Sequence, residues 1–348
     1  MSEKSFESNL KRSQGVSELI DKNPGEFRML TGDRPTGYLH IGHYFGSIKN
    51  RVDLQNKGVE TVVLIADYQV ITDRDTTENI EEYVYNMIAD YLACGIDPNK
   101  TKIFCHSAVP ALNQLMLPFL SCVSEAELLR NPTVKTEMKS SGHELTGLLL
   151  TYPVHQACDI LFCKADIVPV GKDQMPHIEQ TRLIARRFNN RYGKVFKEPT
   201  GILSEAIEVP GLDGRKMSKS YHNAISLSLT ADETARLIKK SQTDSDRNIT
   251  YDPKKRKGVS ALLTTAGLCS NKKPEDIAAE IGDGGGGALK AYTTEAVNEF
   301  LAPIREKRQT YLSDKAQLKK ILDDGNAFAN EVANDTINEV RQAMGMSY

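Results

Sequence analysis

Apolar and polar positions along this chain change period several times, and each change marks an element. "TVVLIAD" (61–67) is an unbroken β-branched and aliphatic run, the pattern of a strand buried on both faces. "EFRML" (26–30), "KIFCHSA" (102–108) and "ADIVPVG" (165–171) are similar runs and predict further strands. Between them the spacing is helical. "IGHYFGSIKNRVDLQN" (41–56) puts Ile41, Tyr44, Phe45, Ile48 and Val52 on one face. "TENIEEYVYNMIADYLACGID" (77–97) is an amphipathic helix with Gly95 as its stop signal. Helical patterning returns at 110–130, 145–164 and 174–191. Strands alternating with helices predict a doubly wound parallel sheet of the α/β class.

After about residue 220 the strand pattern ends. Helices are predicted over 230–241, 274–281, 288–301 and 314–344. The chain therefore divides into a polar extension (1–25), an α/β domain (26–220) and an α-helical domain (221–348), whose last helix is a candidate to pack back on the first domain. The extension is not needed by an α/β fold, and reads as polar chain or a short surface helix. "GDGGGG" (282–287) lacks the Lys-Ser/Thr of a phosphate-binding loop and reads as a flexible interhelical loop.

The 348 residues are 40% hydrophobic and 26% charged, a soluble globular profile with room for a sizeable core. No apolar run approaches the roughly 20 residues of a membrane span. The start lacks the apolar core of a secretory signal, and its Glu3, Glu7, Glu18 and Asp21 argue against a mitochondrial presequence, so a cytoplasmic location is expected. The six cysteines form no C-x-x-C pair; they read as reduced core residues, with no structural metal. A net charge of −2 announces no nucleic-acid partner globally. Two local basic stretches, 182–194 and 252–258, are each weak signals taken alone.

Two short motifs carry candidate chemistry. "TGDRPTGYLHIGH" follows the first strand and opens the first helix, where free N–H groups and the helix dipole favour phosphate. Gly32, Gly37 and Gly42 permit close backbone approach, and His40 and His43 lie one helical turn apart. Alone, such a pair is equally compatible with two surface histidines. "DGRKMSKSYHN" (213–223) sets Lys216 and Lys219 around Met217 and Ser218. Two lysines on a closing loop suit pyrophosphate and a developing charge, although K-x-x-K alone reads as an exposed linker.

H-I-G-H followed about 170 residues later by K-M-S-K-S resembles the class I aminoacyl-tRNA synthetases. "LLLTYPVHQACDILFCKADIVPVGKDQMPHIEQTR" (148–182), "GDRPTG" and "RNPTVKTE" (130–137) are similar to the bacterial type of tryptophanyl-tRNA synthetase. The resemblance runs from about residue 27 to the C-terminus. It implies a Rossmann-like catalytic domain, a helical domain that reads the anticodon, and tryptophan, ATP and tRNA as substrates. Mg²⁺ would arrive with ATP, since no carboxylate cage is visible in the sequence. A homodimer is also implied.

The site residues implied by the resemblance fall into three sets. His40, His43, Lys135, Lys216 and Lys219 would steady the phosphates. Arg34, Pro35, Thr36, Gly42, Gly171, Lys172, Asp173, Val209, Met217, Ser218 and Ser220 would complete the nucleotide site, with Gly171 beside adenine and Asp173 on the ribose. Tyr152, Gln156, Asp159, Ile160, Val168, Val170 and Gln174 would form the amino-acid pocket. There Asp159 would accept the indole N–H, and the aliphatic walls are equally compatible with core packing. Many members carry methionine where this chain has Gln156, and the chain contains no tryptophan. A tyrosyl enzyme, a small nucleotidylyltransferase and an idle RNA-binding paralogue are the alternatives at this stage.

Overall fold

The computed structural model describes residues 3–72, 77–141, 145–171, 174–203, 209–218 and 221–348. Among them five strands form one parallel sheet: β1 (Arg28–Asp33), β2 (Glu60–Ile65), β3 (Thr101–Cys105), β4 (Ile167–Val170) and β5 (Thr200–Leu203). Their order is β3-β2-β1-β4-β5. β1 pairs with β2 along its whole length, from Arg28↔Glu60 to Asp33↔Ile65. Toward β4 its register holds only Met29↔Ile167. The strands on either side of the topological switch thus diverge, and a crevice opens at their carboxyl ends, where α/β sheets bind ligands.

Alternation along the strands builds two cores. Val63, Ile65, Ile103 and Cys105 face one, and Val62, Leu64, Phe104 and Val168 the other. The first core continues into the helical domain through Leu262, Val297 and Leu301. That domain comprises α11 (Ala231–Lys239), α12 (Lys257–Ser270), α13 (Pro274–Ile281), α14 (Gly285–Ser313) and α15 (Lys315–Ala343). Helix α12 has no counterpart in the sequence expectation, because "DPKKRKG" drew attention to charge just where its apolar stripe begins. β5 was also missing there: four residues, "TGIL", are too few for a period to register.

"GDGGGG" is not a loop throughout. Gly282–Gly284 form one 3₁₀ turn, and Gly285 already opens the 29-residue α14. Packing of that helix against α4 (Ile80–Ala93) and α12 overrides the low helix propensity of glycine.

Both sheet edges are covered by a terminal helix. On the β3 side, Gly325 of α15 lies so close that a Cβ there would meet the Ile103 carbonyl oxygen at 1.8 Å. The next residue, Asn326, accepts the edge N–H of Cys105 at 3.0 Å. On the β5 side, α1 (Glu3–Lys22) supplies Ser13, whose Oγ accepts the N–H of Leu203 at 2.9 Å. Ile20 of α1 is buried against Met29, Leu54, Val59, Ile167 and Ile202. The extension therefore belongs to the folded body. Its polar look misled because only one narrow face is apolar, and that face covers an edge that would otherwise expose N–H groups.

Candidate active site

A cavity of about 390 Å³ fills the crevice between β1 and β4. Leu30 to Arg34 enter from β1, Val168 to Gly171 from β4, and Tyr152, Gln156, Asp159 and Ile160 from α9 (Gly147–Phe162). Gln174 and His177 close it at the start of α10 (Met175–Tyr192). The walls are mixed: Leu30, Leu64, Ile160, Val168 and Val170 are aliphatic, Asp33, Glu137 and Asp159 bring carboxylates, and Asp159 is only 4% exposed. Its Oδ1 lies 2.8 Å from Nε2 of the fully buried His106. Burial pushes the Tyr152 phenol above its ordinary value, so it stays a neutral donor.

Asp33 and Arg51 form the opposite wall. The Arg51 guanidinium donates to Asp33 Oδ2 at 2.6 Å, and the Tyr91 hydroxyl donates to the same oxygen at 2.6 Å. Burial alone would raise the Asp33 carboxyl; the Arg51 charge and these hydrogen bonds outweigh it and hold Asp33 well below the usual carboxylate range. Asp33 also feels the charge of His43, so this wall adjoins the histidine motif.

The motif itself begins at His40, in extended backbone, ahead of the short helix α2 (Ile41–His43). A π-helical turn (Tyr44–Ile48) then leads into α3 (Lys49–Lys57). The two imidazoles are in contact, 3.7 Å between centroids and tilted by 42°. Nδ1 of His43 accepts the backbone N–H of His40 at 3.1 Å, which places the proton of a neutral ring on Nε2.

The lysine motif lies against this platform. Met217 is buried, and its Sδ is 3.3 Å from where a Cβ on Gly42 would sit. The stretch just after the motif is tied to the stretch just before the histidines: Ile41 N–H donates to Ile225 O at 3.0 Å, and Leu227 N–H to Leu39 O at 2.9 Å. Asn223 staples the loop from within. Its Nδ2 donates to Asp213 Oδ1 at 2.7 Å and to Lys216 O at 3.1 Å, while its Oδ1 accepts the Ser218 N–H at 2.8 Å.

Residues 22–302 match the family described as tRNA synthetases class I (W and Y). The chain is 44% identical over 340 residues to the tryptophan–tRNA ligase of Streptococcus pneumoniae, covering 92% of this chain and 98% of that one. It belongs to this family of class I tRNA synthetases. To the tryptophan–tRNA ligase of Clostridium longisporum it is 41% identical over 331 residues, 92% of this chain and 97% of the other. Among solved structures it superposes on tryptophanyl-tRNA synthetase from Campylobacter jejuni, complexed with ADP and tryptophan, with a TM-score of 0.81 at 32% identity, over 91% of this chain and 99% of that one. The likeness to tyrosyl-tRNA synthetase from Archaeoglobus fulgidus, TM-score 0.65 at 21% identity over 85% of this chain and 94% of that one, is one of fold.

In this synthetase Tyr152, Gln156, Asp159, Ile160, Val168, Val170 and Gln174 all line the one cavity, with Arg34 and Gly171. His40, His43, Gly42 and Met217 form the second cluster beside it. Pro35 and Val209 are buried and lie outside the cavity, as does half-buried Thr36. Lys216 and Lys135 are exposed and line nothing; from the same helix as Lys135, α8 (Pro132–Ser141), it is Glu137 that reaches the cavity. Lys172, Asp173, Lys219 and Ser220 lie outside the described residues.

Sequence reasoning missed Asp33, Arg51 and Gln69 on the cavity wall, His106 and His155 behind it, and Asn223 in the lysine loop. Asn223 closes the quoted "KMSKSYHN", so its turn chemistry was available. The others come from five separate elements that no spacing connects.

The ring and carboxylate atoms of His106, His155 and Asp159 lie within 4.8 Å of one another. They do not suit Mg²⁺, which takes oxygen ligands. Both ring nitrogens of His155 are already hydrogen-bonded, to Gln69 Nε2 at 3.0 Å and Asn113 Oδ1 at 2.7 Å. Burial also lowers the His155 pKa, keeping it neutral. The basic stretch at 182–194 is internally paired: Arg182 and Arg186 meet Glu198, Arg187 meets Glu127, and Arg191 donates to Ser121 O at 3.0 Å. No helix among the described residues is long and apolar enough to cross a membrane.

Proposed function

We infer that this synthetase joins L-tryptophan to its tRNA in two steps. The observation that carries the reading is the buried carboxylate of Asp159 in the same cavity as the aliphatic side chains of Ile160, Val168 and Val170. An indole fits that combination: a flat apolar body with one N–H donor. A pocket built on such a bond rejects side chains that lack it. The tryptophan–tRNA ligase names of the 41–44% identical relatives, and the tryptophan and ADP in the Campylobacter structure, support the same substrates.

In the first step a tryptophan carboxylate oxygen attacks the α-phosphorus of ATP in line. The bond to the bridging oxygen breaks and pyrophosphate leaves. The protein positions the groups and balances charge. His40 and His43 hold phosphate oxygens, with His43 Nε2–H as donor. Lys135, Lys216 and Lys219 follow the charge onto pyrophosphate; Lys135 and Lys216 are exposed and need loop closure to arrive. Tyr152 and Gln174 hold the amino-acid end, and Arg34 belongs to the nucleotide site. Gly171 and Asp173 receive adenine and ribose. In the second step the 2′-hydroxyl of the terminal adenosine attacks the adenylate carbonyl and AMP leaves. Mg²⁺ bound with ATP would neutralise part of the phosphate charge. A cytoplasmic homodimer whose helical domain reads the anticodon completes the reading.

The test is tryptophan-dependent ATP–pyrophosphate exchange, run beside tyrosine, followed by charging of tRNA. Tryptophan should drive both reactions and tyrosine neither. His43→Ala should lower kcat by about 10²–10³, the scale of one lost charge-stabilising donor. Exchange with tyrosine, or a wild-type rate in H43A, overturns the assignment.

A further inference from the structure

Behind the cavity lies a group of side chains that the two steps above do not use. His106 is the first residue of the 3₁₀ turn after β3 (His106–Ala108) and is fully buried. It does not line the cavity, but Asp159 does; His106 Nε2 and Asp159 Oδ1 are 2.8 Å apart, in close contact but off the line of a hydrogen bond. His106 is itself hemmed in. The Tyr68 ring lies nearly parallel to it, at 6.3 Å and 18°, and the His155 ring packs at 4.7 Å. His155 is pinned between Gln69 and Asn113, and Asn113 Nδ2 donates back to His106 O at 3.3 Å. Gln69, which does line the cavity, accepts from Thr72 Oγ1 at 3.2 Å.

We propose that His106 is a positioning residue for amino-acid selection: it fixes the plane of the Asp159 carboxylate, leaving one oxygen for the N–H of the substrate. The inference rests on the tryptophan reading above. A buried aspartate can turn about its last torsion, whose wells are broad. A carboxylate whose one oxygen lies in contact with a ring that cannot move keeps the other oxygen in place. Recognition of an N–H then becomes strict in two ways. A ligand with the donor meets a preorganised acceptor. A ligand without it leaves a buried carboxylate oxygen unpaired, which is costly. Without His106 the carboxylate turns away, the tryptophan bond weakens, and a ligand without N–H suffers less.

The probe is 3-(3-benzothienyl)alanine, in which sulfur replaces the indole N–H at nearly the same shape. The full-length protein and three variants are compared in ATP–pyrophosphate exchange. In H106Q the amide nitrogen occupies the place of Nε2 and can reach Oδ1. In H106N it occupies the place of Nδ1 and falls short, and H106L has no donor. H106N and H106L should lower the tryptophan-to-analogue ratio of kcat/KM by at least about tenfold, mainly through KM for tryptophan, with kcat within about threefold. H106Q should keep the ratio near wild type. Because H106N remains polar and smaller than histidine, it carries the test if H106L fails to fold. An unchanged ratio, an equal fall for both substrates, or an H106Q as poor as H106N overturns the proposal. If the wild-type protein shows no exchange with tryptophan, the tryptophan reading itself is wrong and this inference falls with it.

Discussion

Gly42 and Met217 are 175 positions apart in the chain, yet the Met217 sulfur stands 3.3 Å from where a Gly42 side chain would begin. The histidine and lysine motifs are therefore in van der Waals contact, and the absent Cβ is what lets them meet. The His40 ring lies closer still, at 2.9 Å from that point. Gly42→Ala should push the ring and the sulfur apart while the helix, which favours alanine, stays intact. We expect kcat for pyrophosphate exchange to fall on the order of 10²-fold, the cost of a misplacement near 1 Å, with little change in Tm. A G42A variant with wild-type kcat would show that the packing is incidental.

The helical domain is latched to the α/β domain by a buried charge pair. Arg308 of α14 donates from Nε to Asp90 of α4 at 2.6 Å and also bonds Asn86. Asp90 is fully buried and Arg308 only 9% exposed, so removing one partner strands the other. Arg308→Met should cost about 3–5 kcal/mol in urea unfolding. D90N together with R308M should recover part of that loss, because no charge is then left buried alone. If R308M alone is within about 1 kcal/mol of wild type, water must reach Asp90 and the latch is not closed.

Removing residues 1–22 would uncover Ile20's partners Met29, Ile167 and Ile202 and free the Leu203 N–H on the β5 edge. Lower Tm and concentration-dependent association by light scattering are expected, because an uncovered edge pairs with other chains. Pyrophosphate exchange by the remaining folded fraction should persist, since α1 touches neither the cavity nor the histidines. A truncated protein that melts and sediments like the full chain would show that the edge needs no cover.

Acid stability should carry the mark of Glu127. The Arg187 hydrogen bonds, then the Ser124 backbone N–H, bring its carboxyl from 4.5 down to about 2. Its folded value is the lower one, so the stabilisation is fully present above pH 4.5 and lost as pH falls toward 2. Glu127→Gln should therefore be less stable at neutral pH and flatten the fall in unfolding free energy between those limits. The pair is partly exposed, so the difference should shrink with added salt. A parallel acid limb in E127Q would show that another group governs it.

Period and run length revealed the alternation of strands and helices and the change to an all-helical second half, and residue type and order singled out the histidine and lysine motifs. These depend on local order: a strand buried on both faces must be apolar throughout, and a packed helix must repeat its apolar side. Resemblance singled out seven residues that line the cavity, and they come from α9, β4 and the start of α10, a single continuous stretch of chain. What folding alone decided is which distant residues meet. Asp33, Arg51 and Tyr91 come from three elements and form one charge cluster. His106 reaches Asp159 across 53 positions because the turn that follows β3 packs against α9. The divergence of β1 from β4 makes the cavity itself. No local pattern encodes these meetings, since each side chain is ordinary in its own element and acquires its role only from the neighbour that the sheet order brings to it.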